Sequence, residues 1–304
     1  MMTTPHHRLI DRTAVFVGCA KNCAPFLPSV LHNMCSLGQL FSKSVYIIME
    51  NDSSDDTKQI LRAWRSTQSN ARIVSQDGLS GRFPQRTVGL AYARNEYVKI
   101  IKSNYQDFDF MFVMDCDDVN VQEIENNRII QAVQFLEQDT KRAAVFSNSK
   151  GSYYDLWALR HTKLCPNDVW EELCDFVSAN PISDDEAYQI VFQKNIFQFD
   201  SRAAPIEVVS AFGGLGIYKI ASVLRNEAPY IGSKKKLIPN RILSGGLAFG
   251  YIPCNWQMCE HVSYNQGFVM NNERLFIMPN SINYTTREVK DTKFPSSFWR
   301  GCIF

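Results

Sequence analysis

Five short apolar runs, Ala14–Val17, Val45–Met49, Ala71–Ser75, Phe110–Met114 and Ala143–Ser147, are separated from one another by stretches long enough to hold a helix. Parallel strands need such crossovers, so this spacing predicts an α/β domain built on a largely parallel sheet. The runs are apolar throughout, which fits strands covered on both faces. Between them, Val88, Ala91, Val98 and Ile101 mark one helical stripe over Thr87–Asn104, and Ile129, Val133 and Leu136 mark another. Ser53, Ser54 and Asp55 stand ready to cap a helix that begins at Thr57.

Charge excludes some functions at once. Lys plus Arg number 32 against 31 Asp plus Glu in 304 residues, a net charge of +1, so no overall field draws the chain to nucleic acid or an anionic membrane. The nine cysteines are too sparse for a disulfide scaffold and odd in number, which suits reduced, buried thiols. Neither Cys19-x3-Cys23 nor Cys254-x4-Cys259 has zinc-ligand spacing. Met1–Arg12 is polar and basic, without the apolar core of a signal peptide, and no run reaches the roughly 18 apolar residues of a membrane span. The expectation is a cytoplasmic protein with no transmembrane segment.

Beyond Gly151 the rhythm loosens. Gly213-Gly214, Gly216 and Gly245-Gly246 suggest bends or close backbone approach. Lys234-Lys235-Lys236 is expected in an exposed loop, and the aromatic tail from Thr285 to Phe304 is expected to dock on the body.

In an open α/β sheet, ligands gather where strands end at their carboxyl edge. The fourth strand runs into Asp115-Cys116-Asp117-Asp118. Crowded carboxylates there retain a proton unless a cation sits among them. Alternate side chains of an extended segment point the same way, so Asp115 and Asp117 can address one site. A hard divalent ion, Mn2+ or Mg2+, held by one or two carboxylates and completed by phosphates would suit it. After the second strand comes Glu50-Asn51-Asp52-Ser53-Ser54-Asp55, where an acid can accept from a ribose hydroxyl or a base, or simply cap a helix. Cys259-Glu260-His261 offers a carboxylate base and an imidazole ligand. Asn95 interrupts an apolar stripe beside Arg94, so the pair can reach a phosphate or ribose, with a buried structural hydrogen bond as the alternative. Tyr153-Tyr154-Asp155-Leu156-Trp157 sets aromatics around one acid, as sugar sites do, although a core strand edge would look the same.

The order of these motifs resembles the nucleotide-sugar glycosyltransferases of the GT-A fold. The matching residues are Val17-Gly18-Cys19-Ala20-Lys21-Asn22, Glu50–Asp55, Ala93-Arg94-Asn95, the DxD motif Asp115-Cys116-Asp117, Phe212-Gly213-Gly214-Leu215-Gly216-Ile217-Tyr218-Lys219 and Cys259-Glu260-His261, spanning Ala14 to Tyr264. The resemblance implies a mixed, mostly parallel sheet flanked by helices, with a nucleotide-sugar-binding half over 13–150 and an acceptor-binding half over 151–304. It implies a metal-dependent hexosyltransferase. Asp115 and Asp117 would hold the ion against a UDP- or GDP-sugar diphosphate, and His261 would complete the shell. Glu50, or else Asp52, would contact base or ribose, Arg94 and Asn95 would lie near the nucleotide, and Gly213 and Gly214 near the donor sugar or acceptor. Glu260 is the nearest match to the catalytic base, but the chain reads Glu-His where many relatives have Glu-Asp, so Asp155, Asp184 and Asp185 remain rivals. The acceptor would be a glycan, lipid or protein hydroxyl. A sugar-phosphate nucleotidyltransferase and a non-catalytic sugar- or nucleotide-binding module are the alternatives.

Overall fold

The computed structural model describes residues 10–180, 182–239 and 250–283. Its frame is an eight-stranded sheet made of β1 (Ile10–Ala20), β2 (Phe41–Glu50), β3 (Ala71–Ser75), β4 (Phe110–Met114), β5 (Arg142–Ser149), β6 (Ile206–Val208), β7 (Leu215–Lys219) and β10 (Arg274–Asn283). The strand order is β3-β2-β1-β4-β7-β5-β10-β6. The first four positions are parallel. β7 enters antiparallel between β4 and β5, and β10 returns parallel to β5, so strands from both halves of the sequence share one sheet. The two strands that bracket β7 were expected from the sequence, but their separation by it was not.

Period-two alternation divides the core. Val15, Val17, Met111 and Val113 face one hydrophobic cluster, and Ala14, Phe16, Phe110 and Phe112 face the other. All eight are 0–3% exposed. Each fully buried Val or Phe contributes about 1.5–3 kcal/mol, which is why such strands need no polar face. Phe16 stacks on Phe112 across the β1–β4 pair with centroids 4.5 Å apart. The second cluster is closed by α1 (Leu27–Gly38), α2 (Thr57–Thr67) and α5 (Asn126–Glu137). The first is closed by α4 (Arg86–Asn104), which follows the single turn α3 (Leu79–Arg82), and by α6 (Val169–Ala179), α7 (Asp184–Gln193), α8 (Ile220–Arg225) and α9 (Glu260–Met270).

The Lys234–Lys236 expectation is corrected. These residues lie in β8 (Ser233–Pro239), paired antiparallel with β9 (Tyr251–Gln257) as a separate ribbon. Lys234 and Lys236 turn toward α6, where they meet Glu171 and Asp175. The ribbon is latched to the start of α4, since Thr87 Oγ1 donates to the Gly232 carbonyl at 2.7 Å and Gln85 Nε2 to the Asn255 carbonyl at 2.6 Å. Gly245-Gly246 and the Thr285–Phe304 tail lie outside the described residues.

Candidate active site

The loops after β1, β2, β4 and β5 converge with α4 and the start of α9 on a cleft of about 650 Å³. Asp115, Asp117, Asp155, Glu260 and His261 line it with Arg94, as do Lys21, Asn22, Asn51 and Arg86. It sits at the carboxyl edge of the sheet, the place where parallel strands leave backbone ends and loops free to meet a ligand.

β4 delivers the DxD pair. Asp115 follows the last strand residue, and its backbone N–H donates to the Gly214 carbonyl at 3.0 Å. Asp117 begins a short 3-10 turn and accepts from the Val119 N–H at 3.3 Å. The amide of Asn120 ties this loop down by donating to the carbonyls of Asp115 and Gly214 at 2.9 and 2.8 Å. Asn283 on β10 in turn donates to the Gly213 carbonyl at 2.9 Å. Gly213 and Gly214 have φ of +68° and +84°, and a Cβ on Gly213 would come within 2.4 Å of the Ser147 carbonyl oxygen. Only glycine satisfies both demands. Phe212, rather than the glycines, lines the cleft, so the glycines brace the DxD loop from behind.

Arg94 is the charge at the centre. On the buried face of α4, its Nε donates to Glu260 at 2.9 Å, one terminal nitrogen to Asp115 at 3.2 Å and the other to the Tyr97 hydroxyl at 3.3 Å. Phe212 and Tyr230 lie 5.3 and 5.9 Å from the guanidinium. One cation therefore joins the acid after β4 to the acid at the start of α9, although 145 residues separate them. It faces too many carboxylates to neutralise them. Burial in the cleft, then Asp117, push the Asp115 carboxyl up to about 7 despite Arg94. Asp155 is also raised, mainly by burial, while it accepts from the Gly213 and Ala158 N–H groups at 3.0 and 3.3 Å.

His261 is 2% exposed and stacks on Phe212 with centroids 3.9 Å apart. Burial, aided by Arg94, holds its imidazole well below the ordinary range and so neutral. Neither ring nitrogen has a hydrogen-bond partner among the described residues. The Asp115 carboxylate, short of counter-charge, and a neutral imidazole with one unused lone pair are donors of the kind a divalent cation takes up, with Asp117 two residues along. Among the described residues no three ligating side chains are close enough to hold an ion unaided. Hard cations such as Mg2+ commonly draw remaining ligands from substrate phosphates and water.

Several of the expected site residues lie outside the cleft wall. Glu50 is 1% exposed and does not line the cleft; its carboxylate accepts from the Ser53 N–H at 3.1 Å and from the Ser75 hydroxyl. Asp52 is also outside the wall and accepts from the Gly78 N–H, the Ser80 N–H and the Ser80 hydroxyl, which hold its carboxyl well below the usual range. Asn95 clamps the backbone of Tyr230 in both directions at 2.9 Å, the structural alternative of the two. Asp184 and Asp185 lie in the first turn of α7, where their charge suits the helix dipole, and not in the cleft. Asp55, expected to cap α2, accepts from the Thr57 N–H at 3.0 Å and also from Ala24 across the loops. Sequence reasoning missed Ser80, Phe83 and Arg86 as cleft residues, none of which carries a local chemical signature, and named Asn51 only within the Glu50–Asp55 motif.

The family model of glycosyl transferase family 2 matches residues 16–199, and the chain belongs to that family. Its mixed, mostly parallel sheet flanked by helices is of the GT-A class. Among solved structures the chain is similar to S. aureus TarS 1-349, at 14% identity and TM-score 0.49, covering 90% of this chain and 60% of that one. It is also similar to the mannosyltransferase PcManGT from Pyrobaculum calidifontis, solved with GDP-Man and Mn2+, at 13% identity and TM-score 0.49, covering 96% of this chain and 60% of that one. Glucosyl-3-phosphoglycerate synthase from Mycobacterium tuberculosis, solved with Mn2+, UDP and glucosyl-3-phosphoglycerate, shows 15% identity and TM-score 0.40, covering 90% and 69%. The chain thus spans about 60% of the length of the TarS chain. No curated protein matches it. No helix among the described residues is long and apolar enough to cross a membrane.

Proposed function

We propose that the protein is a metal-dependent glycosyltransferase that moves a hexose from a UDP- or GDP-sugar to a hydroxyl acceptor. One observation carries this reading: the DxD carboxylates, Arg94, Glu260 and His261 meet in a single cleft, with Asp115 short of positive charge. Asp115 and Asp117 would hold Mn2+ or Mg2+, with His261 lining the same cleft. When bound, the ion supplies Lewis-acid stabilisation of the diphosphate leaving group.

The chain's own residues do the rest. The 13–150 half supplies the nucleotide side through Lys21, Asn22, Asn51, Ser80 and Arg86, and the 151–304 half the acceptor side. Glu260, aimed by Arg94, takes the proton of the acceptor hydroxyl as it attacks the anomeric carbon. Asp155 is the second candidate for that proton, held in place by two backbone N–H groups. The eight described cysteines are free thiols, which supports a reducing, cytoplasmic setting.

The test is a thermal-shift panel of nucleoside diphosphates and sugar nucleotides with and without Mn2+. A ligand that binds only the native state raises the melting temperature. The expected outcome is a shift with a uridine or guanosine nucleotide that requires the cation and disappears in Asp117→Ala; a cation-independent shift, or none across the panel, overturns the proposal.

A further inference from the structure

Arg94 bridges two acids that differ in their access to the cleft. The side chain of Asp115 is 29% exposed, whereas those of Glu260 and Arg94 are 6% and 4% exposed. A small cation entering the cleft can therefore reach the Asp115 end of the bridge, while the Glu260 end is buried. We propose that Arg94 is a placeholder for the cation: it holds Asp115 while the cation is absent, releases that carboxylate when the cation binds, and then serves Glu260 alone. The inference rests on the metal-dependent reading above and deepens it, because it makes the grip on the proposed base depend on the ion.

The geometry favours exchange over sharing. The contact to Asp115 is the longer of the two ion pairs, 3.2 Å against 2.9 Å to Glu260, and charge-assisted N–H···O bonds ordinarily run about 2.7–2.9 Å. Giving it up does not unseat the side chain. Nε remains on Glu260 and one terminal nitrogen on the Tyr97 hydroxyl, which donates in turn to the hydroxyl of Tyr230. Asn95 fixes the backbone of Tyr230, and the rings of Tyr230 and Phe212 flank the guanidinium. A guanidinium and a divalent ion on one carboxylate repel each other, and a partly buried cleft screens that repulsion poorly. Arg94 is thus a positioning residue: its charge is divided between two carboxylates until an ion takes Asp115, and Glu260 is then the only acid it pairs with. Linkage makes the effect reciprocal, so whatever draws Arg94 toward Glu260 favours the ion at Asp115.

The experiment compares crystal structures of the full chain with UDP or GDP, with and without Mn2+, and measures Mn2+ affinity of variants by electron paramagnetic resonance of the free ion. With Mn2+ at Asp115, the Arg94–Asp115 bond is expected to be broken and the Arg94–Glu260 bond kept. Glu260→Gln removes the competing partner and leaves Arg94 to Asp115, so it should weaken Mn2+ binding about tenfold, the scale of one charge-assisted hydrogen bond. Adding Arg94→Gln to that variant removes the placeholder without stranding a buried charge, and should restore the lost tenfold. Adding Arg94→Lys instead keeps the charge and should leave binding weak. A purely structural role predicts the reverse, since Asp115 without its arginine would be less well held. Mn2+ on Asp115 with the Arg94 bond intact, or no gain in affinity from Arg94→Gln with folding verified by its melt, would overturn the placeholder and leave the metal reading standing. Absence of Mn2+ from Asp115 in every structure would overturn both.

Discussion

The carboxylates that follow β2 and those that follow β4 leave the same edge of one sheet, on strands separated only by β1. They spend their lone pairs differently. After β2, Glu50, Asp52 and Asp55 accept hydrogen bonds from backbone N–H and hydroxyl groups of the neighbouring loops, so their charge is used up in holding those loops. After β4, Asp115 faces the cleft with Asp117 nearby, and its ion pair with Arg94 does not offset burial and that neighbour. An acid satisfied by the backbone builds the site; an acid left short of donors is where a cation can act.

The contrast breaks most visibly at Asp117. Replacing it with alanine should lower sugar transfer about a thousandfold, the scale of a lost electrostatic contact to a leaving group, while the melting temperature barely moves. Nucleoside diphosphate release measures this, and wild-type turnover in the variant would erase the distinction between the two acid clusters. Glu260→Gln should cost about a hundredfold or more as a removed general base, and Asp155→Asn less. If Asp155→Asn proves the more damaging, the proton goes to Asp155. Arg94→Met leaves buried Glu260 without its partner, and breaking such a pair costs about 3–5 kcal/mol of stability, to be read from urea unfolding.

The smallest effects concern pH and have opposite signs in the two acid clusters. Asp115 titrates near 7 in the native state against about 3.8 in the unfolded chain. Its ionisation therefore costs stability progressively as pH rises between those values. Asp115→Asn should raise the melting temperature at pH 8 without divalent ions, with the gain fading toward pH 4. Asp52 titrates below its ordinary value of 3.8, so it stabilises the fold above that pH and the contribution is lost on acidification. Asp52→Asn should lower the melting temperature at pH 7 and converge with the wild type in acid. Identical profiles for the two variants would remove the comparison.

Much of this was legible in the order of residues. The apolar runs Ala71–Ser75 and Phe110–Met114 coincide with strands, and Thr87–Asn104 lies within α4, because a short stretch of side chains already carries its period and burial. The second half was harder to read. β6 has three residues and β7 five, and both find partners far away in the chain, so neither displays a local period. The motif Glu50–Asp55 left a ligand contact and a helix cap both open, because composition does not record which hydrogen bonds a carboxylate has already made.

The sequence by itself determined the α/β rhythm, the acids at the strand ends and a glycine pair able to take up positive φ. Tertiary structure alone decided that Arg94 stands between Asp115 and Glu260, that Asn95 serves a backbone and that Phe212 stacks on His261. Local patterns arise from neighbours within one or two turns, whereas charge balance depends on groups brought together across the sheet, where burial makes each missing partner count.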